Sequence, residues 1–227
     1  MLNLRRVASP LYEPISVDDA LMHARIDNDV ERSYVIGLIR VAREYVEDVT
    51  WRTLMGTEWD VGLDSWPNTV PPPYAGVEQA LALNLWPVRG GWGMPRAPLR
   101  SVTSITYVDD TGGTNTFPLS NIVVDTLSEP GRISLKRSVA WPSVILVPVG
   151  AIKIRFVAGY SDVLTNASTP EQLAAARAAC PAAAIHAIKL IAAHLYENRE
   201  ETVTGTIIAS LPMGVDALLS PLRAMEF

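Results

Sequence analysis

The spacing of apolar positions changes twice along this chain. Between about residues 15 and 51 it is helical. Val35, Leu38, Ile39, Ala42, Val46 and Val49 stand at i, i+3, i+4, i+7, i+11 and i+14, a single stripe on one helix. Ser16 ahead of Val17-Asp18-Asp19 predicts a capped short helix running through about Arg25. Asn28 or Asp29 can cap the longer helix behind it. Arg40, Arg43, Glu44, Glu47 and Asp48 fall largely off the stripe and read as a solvated face with local ion pairs.

From about 57 to 160 the period shortens to two. Thr57–Leu63 alternates Trp59, Val61 and Leu63 on one side, and Ala151–Tyr160 alternates Ile152, Ile154 and Phe156. The stretch from Ser101 to Val108 alternates less cleanly and runs into Asp-Asp-Thr-Gly-Gly, a hairpin turn signal; Arg132–Lys136 supplies a further strand. This zone holds 11 of the 17 prolines, which excludes long helices and leaves hairpins. Residues 67–97 are set apart by Pro and Gly. A short strand at 81–86 is expected between two loops, with Trp86 and Trp92 either covering the β layer or touching a partner. The glycines at 90–93 lack the lysine and hydroxyl of a phosphate loop.

Helical spacing returns after Thr169-Pro170-Glu171, a cap followed by proline, and Pro181 limits or kinks that helix. A second helix is expected over about 182–199. Residues 202–214 look extended, and Val215, Leu218, Leu219 and Leu222 mark short helical turns near the end.

Composition narrows the class. With 227 residues, 48% apolar and 19% charged, the chain is long enough for a real core and is globular rather than disordered in composition. A net charge of −5 is the wrong sign for wrapping a duplex. One cysteine permits no intrachain disulfide, which fits an intracellular history. No apolar run approaches the roughly 20 residues of a membrane span, and the two N-terminal arginines are not followed by a signal-peptide core.

Candidate chemistry is sparse. His186 and His194 are separated by ~12 Å of helical rise and ~80° of rotation, too far to share one ion. His194 with Glu197 supplies only two ligands. Cys180 lies among small apolar residues and reads as an inert thiol; His23 has no nucleophile beside it in sequence. No catalytic residue, metal ligand or cofactor is assigned. One enzymatic or binding alternative stays open, a sugar- or small-molecule-binding module or hydrolase built on Trp59, Trp66, Trp86 and Trp92. The apolar tail residues Ile207, Ile208, Leu211 and Met213 either pack back on their own domain or dock into another subunit.

The order of segments resembles the head–tail connector, or adaptor, proteins of long-tailed bacteriophages and gene transfer particles. The resemblance runs from Ile15–Leu54, with its Arg-Ile-Asp-Asn-Asp turn, through Arg96–Gly113 and the strands at 132–135 and 151–160, to His194–Glu200 and Leu211–Arg223. It implies an α+β fold: a helical bundle from the N- and C-terminal segments (1–56 and 166–201), an antiparallel β-rich central insertion (57–165) and an extended C-terminal arm (202–227). It implies a non-enzymatic ring, typically twelve copies, under the portal protein at the virion head–tail interface. Such a ring extends the channel for double-stranded DNA without sequence-specific binding and docks the next tail-completion (stopper) protein; another ring component, stopper or terminator, is the alternative. Before assembly the chain is expected in the host cytoplasm, with no membrane partner. Carried over residue by residue, Ile207, Ile208, Leu211, Met213, Val215, Leu218, Leu219, Leu222 and Arg223 become portal-contact candidates. Arg199, Glu200, Arg43 and Glu47 become intersubunit candidates, and Trp86 and Trp92 tail-side loop candidates.

Overall fold

A computed structural model describes residues 3–27, 29–66, 87–88, 91–199 and 213–224. They form an α+β protein that divides into two units. A β unit comprises Met1–Ser9 and Gly56–Val163, and a helical unit comprises Pro10–Met55 and Leu164–Phe227.

Among the described residues the β unit holds nine antiparallel strands. β1 (Asn3–Arg6), β2 (Thr57–Leu63), β9 (Ile152–Ala158), β5 (Leu99–Val108) and β6 (Thr114–Phe117) make a five-stranded sheet in the order β1-β2-β9-β5-β6. β3 (Pro87–Val88), β4 (Gly91–Gly93), β8 (Arg132–Leu135) and β7 (Ile122–Asp125) make a four-stranded one. The period-two pattern survives intact where it was clearest: Trp59, Val61 and Leu63 are buried opposite Phe156, Ile154 and Ile152. Together with Leu99, Ile105, Ile133 and Met94 they form one continuous apolar core. Gly56 fits because its backbone is crossed closely. A Cβ there would stand 2.3 Å from the carbonyl oxygen of Asp162.

The hairpin signal at 109–113 is confirmed with its mechanism. The Asp109 carboxylate accepts from the backbone N–H groups of Thr111 and Gly113, and Gly112 takes φ +85°. Two readings change. The N-terminal segment is not wholly helical, because Asn3–Arg6 pair with Trp59–Gly62 as an edge strand. Gly91–Gly93, expected as loop, pairs with β8; the glycines leave no period to read, and the pairing supplies the order. The strand expected at 81–86 lies outside the described residues.

In the helical unit, α1 (Val17–Ala24) is capped by Ser16 as the sequence predicts, its hydroxyl accepting from Asp19 N–H. A one-turn 3-10 helix over Asp29–Glu31 leads into α2 (Arg32–Thr50), whose N-cap position is Glu31, with no side-chain cap bond; Asn28 lies outside the described residues. Thr169 and Gln172 form a full capping box at the start of α3 (Pro170–Ala179). Pro181 separates α3 from α4 (Ala182–Glu197), and the two axes differ by 96°. No single helix among the described residues is long and apolar enough to cross a membrane. α5 (Met213–Leu219) closes the unit. Val35, Ile39, Ala42 and Val46 of α2 pack with Ala184, Ala187, Ile188 and Ile191 of α4 as the buried faces of this bundle.

Candidate functional site

The charged residues expected on a solvated face of α2 divide in two. Arg40, Glu44 and Asp48 remain at or near the surface, but Arg43 is 0% exposed and Glu47 1%. The Arg43 guanidinium reaches Glu47 at 2.7 Å and Glu13 at 2.7 Å. Glu47 uses its other oxygen to accept the backbone N–H of Leu54 at 2.9 Å. Burial opposes the charge on Arg43, yet the two carboxylates hold its pKa above the ordinary value. This network ties the segment before α1 to α2 and to the loop after it. The intersubunit role carried over for Arg43 and Glu47 is therefore corrected: both side chains lie inside their own fold. Glu13 carried no sequence signal, because its partner stands thirty residues away.

Arg199 is also engaged within its own chain. It pairs with Glu31 at 2.7 Å, and its guanidinium lies 4.7 Å from the ring centroids of both Tyr34 and Tyr196. Tyr196 donates its hydroxyl to the second oxygen of Glu31. That hydrogen bond first, and Arg199 second, hold the Glu31 carboxyl below its usual range. The cluster joins the end of α4 to the start of α2. At 47% side-chain exposure Arg199 still presents a face to solvent.

Of the portal-contact candidates, Val215 and Leu219 are corrected. They are 1% and 0% exposed and face the core of the helical unit. Backbone bonds reinforce this seat. Ala224 N–H donates to the Thr50 carbonyl at 2.9 Å, and Arg52 donates to the Leu222 carbonyl. The final turns thus belong to the bundle rather than to a free arm. Leu218 and Leu222 are half-buried and Arg223 is exposed. Ile207, Ile208, Leu211, Glu200, Trp86 and the side chain of Met213 lie outside the described residues.

Among the described residues the tryptophans do not converge on a binding surface. Trp92 is buried in the β core. Trp66 stacks on Trp141 at 4.7 Å with 13° between planes, and Trp92 and Phe117 close around the same ring at 4.8 and 5.0 Å. Trp66 is the hub of this cluster, with Trp92, Tyr107 and Phe117 also against its ring at 6.1, 5.4 and 5.8 Å; Trp141, its stacking partner, was not singled out from sequence. Trp59 stands apart, with the guanidinium groups of Arg6 and Arg96 at 4.8 and 4.7 Å from its ring. Of the two roles left open for Trp92, the structure gives the structural one.

No trio of metal-ligating side chains occurs among the described residues. His23 and His186 do meet, edge to face at 5.9 Å, a pairing hidden in sequence because the two rings sit on different helices. Burial of Cys180, with Glu47 near, pushes its thiol up to about 12, which leaves it protonated and unreactive near neutral pH. What the described residues offer is surfaces. Exposed apolar residues lie on α2 (Ile36, Val41) and in the β unit (Leu127, Val144, Ile145, Val149).

No protein-family profile and no curated protein matches the chain. Solved structures do. The chain is similar in fold to a chain in the neck of an empty GTA particle computed with C6 symmetry. The TM-score is 0.70 at 20% identity, covering 99% of this chain and 96% of that one. A chain in the virion of a native gene transfer agent (GTA) particle gives 0.69 at 20% identity, with coverage of 99% and 96%. A chain in the neck of a native GTA particle computed with C12 symmetry gives 0.66 at 20% identity, with coverage of 100% and 97%. The similarity extends over both units.

Proposed function

We propose that the chain is a structural component of a head–tail neck, an adaptor that assembles as a closed ring beneath a portal protein. The observation that carries this reading is the fold match over 99% of the chain to chains of gene transfer agent necks. Rotational symmetry in two of those structures supports a ring, and C6 and C12 are both compatible with twelve copies. The buried thiol and the self-packed tryptophans fit a protein whose work is done by surfaces. A net charge of −5 suits a channel through which DNA must pass without adhering.

Within this reading, portal contact falls to the segment 202–212 with Ile207, Ile208 and Leu211, joined by Leu218, Leu222 and Arg223. The exposed apolar end of the β unit at Val144, Ile145 and Val149 is the candidate seat for the next tail-completion protein. Deleting residues 202–212 while joining 201 to 213 through a flexible linker tests the portal assignment. Portal pull-down should be lost while ring formation persists; retained portal binding contradicts it.

A further inference from the structure

The side of α2 turned away from its core bears an exposed row. Tyr34, Gly37 and Val41 follow at i, i+3 and i+7; Tyr34 is 40% and Val41 53% exposed. Tyr34 is held in place before any partner arrives. Arg199 covers one face of its ring at 4.7 Å, Tyr196 lies 6.3 Å away, and Glu31 fixes Arg199. A rigid aromatic ring with an arginine beside it gives up little entropy on docking.

Gly37 is the informative member of the row. Glycine in the middle of a helix costs about 1 kcal/mol relative to alanine. A Cβ at Gly37 would meet nothing within 4 Å, so no packing inside this fold requires its absence. A missing side chain on an exposed helix lets another backbone come close. The same unit carries a face suited to such an approach: on α3, Ala174, Ala175, Ala178 and Ala179 are all exposed, low and flat.

We propose that the outer row of α2 in one copy packs on the alanine face of α3 in the next copy. Tyr34 and Val41 would flank the α3 backbone, and Gly37 would lie beneath it. The proposal rests on the ring reading above and names its interface. Two different faces of one subunit make a heterologous contact, the kind that closes into a ring rather than a two-fold dimer.

The test places photoreactive p-benzoylphenylalanine at position 41 of the full chain, assembled into particles. Irradiation should yield a species of twice 24.7 kDa whose linked peptide falls within residues 170–182. A link within one chain, to a different protein, or to another part of the second copy overturns the proposal. So does the absence of any link in rings that imaging shows to be intact. A second variant, Gly37→Leu, should leave the melting temperature of the isolated chain unchanged or raised while the ring species is lost. Persistence of rings made by Gly37→Leu contradicts the assignment. Native mass spectrometry of the unaltered neck separates the two claims. Rings without the α2–α3 link sink this interface alone, and a wild-type chain that makes no ring sinks the underlying reading and this proposal with it.

Discussion

The two units solve the same burial problem with different interiors. The β unit has an apolar core in which Val61, Ile105, Ile133, Ile152, Ile154 and Phe156 are fully buried; Asp60 and Arg155 pair on the outer side of the sheet, and the buried Arg96 lies against the Trp59 ring rather than in a carboxylate network of the core. The helical unit buries charge. Arg43 and Glu47 occupy core positions of α2 and join three separate segments through directional bonds. An apolar core tolerates small adjustments of packing. A buried guanidinium with two carboxylates accepts one geometry, and removing a member strands the others.

That contrast can be broken most forcefully at Glu47. Glu47→Ala leaves Arg43 short of a partner and the Leu54 N–H without its acceptor, and should cost about 3–5 kcal/mol in urea denaturation. Loss of hydrogen-exchange protection should begin in α2 and the 52–55 loop. A cost below about 1 kcal/mol would show that the network does not organise the unit. In the β unit the matching blow is a cavity. Phe156→Ala should cost about 3–5 kcal/mol, and Ile154→Val at the same site only about 1. Equal penalties for the two would contradict a close-packed core.

Surface charge in the β unit should matter far less. Asp60→Asn weakens a two-bonded, part-buried pair with Arg155 on the outer side of the sheet, and should shift stability by about 1 kcal/mol. A larger loss would erase the distinction between the units.

The smallest effect concerns pH. Burial first, then His186 and Lys189, hold the His23 pKa below its ordinary value. The unfolded chain therefore takes up that proton before the folded one does. Stability from a neutral His23 is complete above about pH 6.5 and declines as pH falls from there through the lower folded value. His23→Gln should flatten this slope in the helical unit. The β unit should begin to weaken only below about pH 4, where Asp60, Asp109 and Asp125, all depressed, begin to protonate first in the unfolded chain. An unchanged slope in His23→Gln would remove His23 from the account.

The same contrast explains what could be read from sequence. Period-two alternation over 57–63 and 152–158 located two central strands, because every second side chain is committed to one core. The caps at Ser16 and Thr169 and the turn at Asp109 are local chemistry, complete within a few residues, and were legible. Contacts set by distant partners were not. Asn3–Arg6 is a strand because Trp59–Gly62 offers an edge, and Arg43 is buried because Glu13 and Glu47 accept it. Helical periodicity sorts residues by angle, and on α2 it left Arg43 and Glu47 off the apolar stripe; the third dimension put them under the segment carrying Glu13. Arg199 stood out in sequence only as an intersubunit candidate, because its clamp needs Tyr34 of α2 and Glu31 of the 3-10 turn before it. Gly37 carried no reading in sequence, because its meaning depends on knowing that it is exposed and that nothing in the fold fills the space beside it.

Imaging of the intact particle tests the central claim most directly. The account predicts a closed ring of about twelve copies of this chain at the neck, in contact with the portal above and a different protein below. A single copy, an open helical array, or a position in the capsid shell or at the tail tip would contradict it.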